Sequence, residues 1–155
     1  HYSSHVVVQQ AYVEGRWLHG TLTIGQKEYP FQLKNNRLST GSQTLGINAR
    51  PIPELRIALP QYWTIPGTCG WVGLKGHIAY GKLTDSRWER DFTHQQSKYT
   101  DGVLYHDKAG YLKIQKPSSR FSAELGLEMG AVFGGTSYLP QRDGSMQIME
   151  NSRSF

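Results

Sequence analysis

The stretch FSAELGLE, residues 121–128, alternates apolar side chains with polar or small ones at every position. Successive side chains of a β-strand point to opposite faces of a sheet, so this period of two predicts a strand with one apolar face. The apolar face carries Phe121, Ala123, Leu125 and Leu127, and the other face carries Ser122, Glu124, Gly126 and Glu128.

The same alternation recurs along most of the chain, over residues 16–24, 55–59, 76–83, 103–106, 111–116, 131–139 and 146–149. We predict a hairpin with its turn at 25–27 and a return strand at 29–33, which is bulged or at an edge because of Pro30. A second hairpin is predicted with its turn at 107–110, and Gly134-Gly135 predicts either a bulge or a place where another backbone comes close. About eight to ten strands at this spacing predict an all-β fold, a single-domain antiparallel sandwich or small barrel over residues 1–155.

Residues 84–99 break the alternation, because they are polar and contain neither Gly nor Pro. Ser86 and Glu89 have the spacing of a capping box, and Trp88 and Phe92 lie four residues apart, on one face of a helix. These residues predict one short helix near 86–98, with a long polar hairpin arm as the alternative.

Length and composition limit the class of protein. A chain of 155 residues suits one domain, since chains usually divide only beyond roughly 250 residues. With 12% aromatic and 19% charged residues it is not a disordered tail. No apolar run approaches the roughly 18 residues of a membrane helix, so we predict no transmembrane segment. The low charge, the many Tyr and Trp residues and the glycine-rich turns predict a secreted or periplasmic protein.

The net charge of +5 predicts attraction to an acidic polymer or polysaccharide. A nucleic-acid binder usually concentrates its basic residues on one face, whereas here they are scattered along the chain. Nucleic acid is therefore not excluded as a partner. The alternative interpretation is a mildly cationic surface without a binding role.

Cys69 is the one cysteine, which excludes an internal disulfide and a Cys-rich zinc site. It lies in PGTCGW, residues 66–71, where flanking glycines can expose the thiol and aim backbone N–H groups at an oxyanion. The string resembles the Gly-x-Cys-Gly of viral chymotrypsin-like cysteine proteases, but the 68 preceding residues are too few for the first barrel of that family. The alternative is a small buried thiol in a tight turn, without reactivity.

The histidines raise a metal hypothesis. If His1 is the mature terminus, its amino group and imidazole can chelate copper together with His5 or another histidine. The alternative is a set of surface or hydrogen-bonded histidines. We predict no metal and no cofactor, with His1 and His5 as the candidates that would overturn this.

The segment RWERDFTH, residues 87–94, packs charged, aromatic and histidine side chains together. Small basic ribonucleases use His, Glu and Arg for acid–base work and for stabilising phosphate, which makes Glu89, Arg90, His94 and His106 candidate catalytic residues. Helical ion pairs between residues four apart, such as Arg90 with His94, explain the same residues without catalysis.

Exposed rings with neighbouring arginines form the last candidate site. Such rings can stack on sugars or bases, and the predicted ligand-binding residues are Trp17, Trp71, Trp88, Arg87 and Arg90. Because no catalytic set is compelling, we predict a non-enzymatic exported β-domain that binds a polymer or ligand or associates with itself. The alternative is a small basic hydrolase, either ribonuclease-like or dependent on Cys69.

Overall fold

The computed structural model describes residues 8–29, 50–85, 87–94 and 96–152. They form one antiparallel sheet in which each strand pairs with the next along the chain. The strands are β1 (Ala11–Trp17), β2 (Gly20–Gln26), β3 (Pro53–Thr64), β4 (Val72–Lys82), β5 (Tyr99–Gln115), β6 (Ser122–Pro140) and β7 (Met146–Glu150). The predicted all-β fold is confirmed. Among the described residues β1 and β7 do not pair, so this sheet does not close into a barrel.

β5 runs without a break through residues 107–110, where a turn was predicted. Asp107 pairs with Ala79 on β4 and with Gly130 on β6, so the backbone is held from both sides. These two ladders outweigh the turn preference of the segment. The second predicted hairpin is therefore wrong. The two strands predicted at 121–128 and 131–139 are likewise parts of one long strand, β6, which begins at Ser122. The described strands therefore number seven, fewer than predicted.

The turn of the first hairpin lies at Leu18-His19 rather than at 25–27. Leu18 has a φ of 41° and is 98% exposed. The ring of Trp17 lies against Gly20, where a Cβ atom would come within 2.6 Å of it. Glycine therefore leaves room for the ring at this turn. Residues 30–33 of the predicted return strand, Pro30 included, lie outside the described residues.

The long strands depart from regular geometry at two places. The register between β3 and β4 shifts between Leu59 and Trp63, beside Pro60, which cannot donate a ladder hydrogen bond. The bulge predicted on β6 is absent, because β5 and β6 keep one register on both sides of Gly134 and Gly135. The backbone of β5 comes close there instead, since a Cβ atom on Gly135 would lie 2.9 Å from the carbonyl oxygen of Asp101. Gly134 and Gly135 have φ values of 67° and 81°, in the region that favours glycine.

The predicted helix is confirmed as the short element α1 (Trp88–Phe92), between β4 and β5. The carboxylate of Asp85 accepts hydrogen bonds from the backbone N–H groups of Arg87 and Glu89, with N···O distances of 2.8 and 3.0 Å. Asp85 therefore caps the start of the helix, the role that was expected of Ser86. Ser86 lies outside the described residues. The rings of Trp88 and Phe92 stack at 4.9 Å.

The strand register places opposite chemistry on the two faces of the sheet. One cross-strand row reads Glu14, Thr23, Arg56, Ala79 and Asp107. We call this side the concave face, because the hydroxyl of Tyr62 on β3 reaches over β4 and β5 to donate to Glu124 on β6. The buried residues of this face are Thr21, Thr23, Ala79, Tyr105, Ala109 and Tyr111.

The opposite side, the convex face, is mostly apolar, and many of its apolar side chains are exposed. Its neighbouring row reads Val13, Ile24, Leu55, Tyr80 and His106. Val13 is 75% exposed and Ile24 is 55% exposed. An antiparallel sheet with one solvent-exposed face usually buries its apolar face against the core. Here the polar side is enclosed and the apolar side is open, which reverses that arrangement.

Candidate functional site

Paired charges line the concave face at the end of β1. Glu14 accepts hydrogen bonds from Lys27, from Arg16 at 2.8 Å and from Thr23 at 3.2 Å. The bonds from Lys27, and then from Arg16, lower the pKa of Glu14 to about 2. Glu14 is therefore a carboxylate throughout the physiological pH range and holds both cations in place.

A second set of charges lies at the centre of the concave face. Arg56 lies 3.4 Å from Glu54 and 3.8 Å from Asp107, and its guanidinium lies 3.9 Å from the ring centroid of Tyr29. His77 lies 2.9 Å from the same Asp107 carboxylate. Burial raises the pKa of Glu54, and the nearby guanidinium opposes that rise. The group is a compact ion-pair network under an aromatic ring.

Tyrosines and lysines line the other end of the face. The ammonium group of Lys75 lies 4.7 Å from the ring centroids of both Tyr62 and Tyr111. The two hydroxyls donate to Glu124 and Glu128, respectively. Burial, followed by the bond to Glu124, raises the pKa of Tyr62 to about 12. Burial and the Glu128 bond likewise raise the pKa of Tyr111, so both rings stay neutral.

A cleft of about 520 Å³ lies on this face, and its lining includes Glu14, Arg56, Tyr62 and Lys75. Pockets that hold small ligands usually measure roughly 300–1,000 Å³. The Nε atom of Arg56, in the wall of the cleft, is buried and has no hydrogen-bond partner among the described residues. The cleft therefore combines ligand-sized space with aromatic rings and charged groups.

No family model matches this chain, and neither does any curated protein or solved structure. The chemistry of the site is thus the basis for a function. None of the helices in the described part of the chain has the length and apolarity that crossing a membrane would require.

Cys69 lies in the turn between β3 and β4, with a φ of 50°, and its thiol is exposed. The expectation of a buried thiol is therefore wrong, because the turn projects beyond the end of the sheet. His77, the histidine nearest to Cys69 in sequence, points into the concave face and contacts Asp107.

The proposed ribonuclease-like residues lie in different surroundings. Glu89 and Arg90 belong to α1, where Arg90 pairs with Asp91 at 3.2 Å rather than with His94. His94 is exposed just after the helix, with a φ of 48°. His106, by contrast, lies on β5, 5% exposed and stacked on Tyr80 at 4.3 Å.

The predicted ligand-binding residues are spread over both ends of the sheet. Trp71 precedes β4, whereas Arg87, Trp88 and Arg90 follow it in the α1 segment. The 11 residues of β4 span roughly 35 Å, so these side chains do not share one site. Trp17 lies at the β1–β2 turn on the convex face, opposite to the face of Thr21 and Thr23, because the turn at Leu18-His19 interrupts the alternation.

The candidate copper ligands His1 and His5 lie outside the described residues. Within the described ranges, no group of three or more His, Cys, Asp or Glu side chains is placed to hold a metal ion.

The sequence interpretation overlooked the concave charges, although a signal for them exists. Glu14 with Arg16 and Glu54 with Arg56 repeat one Glu-x-Arg spacing, which places both charges of each pair on the same face of a strand. Asp107 was not recognised as part of this site because the sequence predicted a turn at residues 107–110.

Proposed function

We propose that this chain is an exported, non-enzymatic binding module whose concave cleft takes a hydroxyl-rich ligand, such as a segment of polysaccharide. The observation that carries the proposal is the 520 Å³ cleft, in which tyrosine rings lie beside charges that are already paired. Hydroxyl groups both donate and accept hydrogen bonds, so they can bond to either member of an ion pair. The ring of Tyr62 offers a face on which a sugar ring can stack.

The internal pairing favours a neutral ligand over an acidic one. Lys27 and Arg16 are held by Glu14, and Arg56 is held by Asp107. An acidic polymer would compete with these carboxylates for the same cations. The net charge of +5 speeds the approach of an anion, but a neutral chain fits the cleft itself without breaking a pair.

Binding of a neutral glucan, measured by titration calorimetry, tests this proposal. We expect Tyr62→Ala to weaken the affinity about tenfold, which corresponds to about 1.4 kcal/mol for the loss of one stacking ring. Tyr80→Ala is the matched control, because it removes the same ring from the convex face, and we expect it to leave the affinity unchanged.

Salt dependence separates the ligand classes. Binding of an uncharged glucan should change little with ionic strength, whereas binding of heparin or RNA weakens steeply as salt rises. Binding of heparin or RNA alone, or an equal loss in both tyrosine variants, would contradict the proposal.

A further inference from the structure

The convex face is a continuous apolar surface that the sheet itself leaves uncovered. On β6, every second residue from 123 to 133 belongs to it, namely Ala123, Leu125, Leu127, Met129, Ala131 and Phe133. Leu125 and Leu127 are 68% and 64% exposed. Across β1–β6 the register places no carboxylate on this face.

The height of the surface matches a lipid hydrocarbon layer. Residues 123–133 comprise 11 positions, and a strand tilted by roughly 45° crosses a bilayer in about 9–11 residues. The surface ends near Tyr80, which lies close to the end of β4 on this face and is 52% exposed. Amphipathic rings of this kind concentrate where hydrocarbon meets water.

The curvature of the convex face favours contact with lipid chains over contact with a second copy of the protein. A specific protein interface needs about 800 Å² from each partner. Two convex sheets touch along a narrow strip, whereas lipid chains follow any outline. We infer that the convex face of this chain lies against the hydrocarbon of a lipid bilayer. This inference is independent of the ligand proposed for the concave cleft.

Two lysines of the surface are accommodated differently. Lys82 ends β4 and lies at the margin of the apolar surface. Lys108 lies between Ile78 and Met129, inside it. A lysine can lay its apolar stem along a surface and extend its charge towards water.

Because hydrocarbon cannot hydrogen-bond free backbone groups, the edge strands β1 and β7 must each pair with a further strand in the bilayer.

Adjacent positions on β6 allow a matched test in the full chain, with Cys69→Ser as the background. Leu125→Cys and Glu124→Cys, both exposed but on opposite faces, each carry an environment-sensitive fluorophore. With phosphatidylcholine vesicles we expect the emission at 125 to rise about threefold or more, as a probe entering an apolar phase does. Nitroxide groups on the acyl chains should quench the fluorophore at position 125 and leave the emission of the fluorophore at position 124 unchanged. Circular dichroism checks that both variants keep the sheet.

Three outcomes would overturn the inference. They are no response at 125, equal quenching at both positions, and a rise at 125 that needs no vesicles and grows with protein concentration. The last would identify a second copy as the cover. Lys108→Leu provides an independent check, since it should increase the vesicle-bound fraction, and a decrease would also contradict the inference.

Discussion

Replacing Arg56 with Met is expected to destabilise the protein by about 3–5 kcal/mol, because it leaves the carboxylates of Glu54 and Asp107 partly buried without their cation. The side chains of Arg56, Glu54 and Asp107 are only 11%, 8% and 16% exposed. Chemical denaturation at neutral pH measures the loss of unfolding free energy.

The pH dependence follows from the pKa of Glu54. Burial already raises that pKa above 4.5, and Arg56 opposes the rise, so the pKa climbs further in the variant. A raised carboxyl pKa favours the folded state while the group is protonated, and this stability is lost as pH rises through the folded pKa. The deficit of Arg56→Met should therefore be smaller near pH 4.5 than at neutral pH.

Arg16→Met is the matched control, because Arg16 also follows a glutamate at the Glu-x-Arg spacing. Its side chain is 78% exposed, and exposed ion pairs contribute about 0–1 kcal/mol. Equal losses in the two arginine variants would show that the central network is not enclosed.

Gly76→Ala is expected to cost about 1–3 kcal/mol, since overpacking forces the backbone to shift. A Cβ atom on Gly76 would lie 2.4 Å from the carbonyl oxygen of Ala109 on the adjacent strand. That oxygen belongs to the backbone of β5 and cannot rotate away.

Gly110 is the direct cross-strand partner of Gly76 and provides the control. A Cβ atom there would have no neighbour within 4 Å. Gly110→Ala should therefore be neutral, or stabilising by about 0.4–1 kcal/mol through the unfolded chain. Thermal melts of the two variants compare them, and a larger loss at Gly110 would contradict the register of β4 and β5.

The period-two alternation was sufficient to predict the all-β fold, and its interruption over residues 84–99 was sufficient to predict the short helix. It was not sufficient to locate turns. Asp107 and Gly110 are good turn residues, yet β4 and β6 hold them in a strand from both sides. That support comes from residues distant in sequence, and a local pattern cannot contain it.

The candidate site was predicted less well, for a related reason. The functional hypotheses came from tryptophan rings and from the charged α1 segment, whose residues are neighbours in sequence. Arg56, Asp107 and His77 lie on three different strands, and only the strand register brings them together. The alternation shows that two faces differ, but not which face the sheet encloses.

Thiol labelling at two adjacent positions of β2 tests the reversed sheet most directly. Thr23 is 1% exposed on the concave face, and Ile24 is 55% exposed on the convex face. In the Cys69→Ser background without lipid, we expect a water-soluble maleimide to label Ile24→Cys at nearly the rate of the unfolded chain. Thr23→Cys should react about a hundredfold more slowly, since labelling there requires local opening. Faster labelling at 23 than at 24 would contradict a sheet that encloses its polar face and exposes its apolar one.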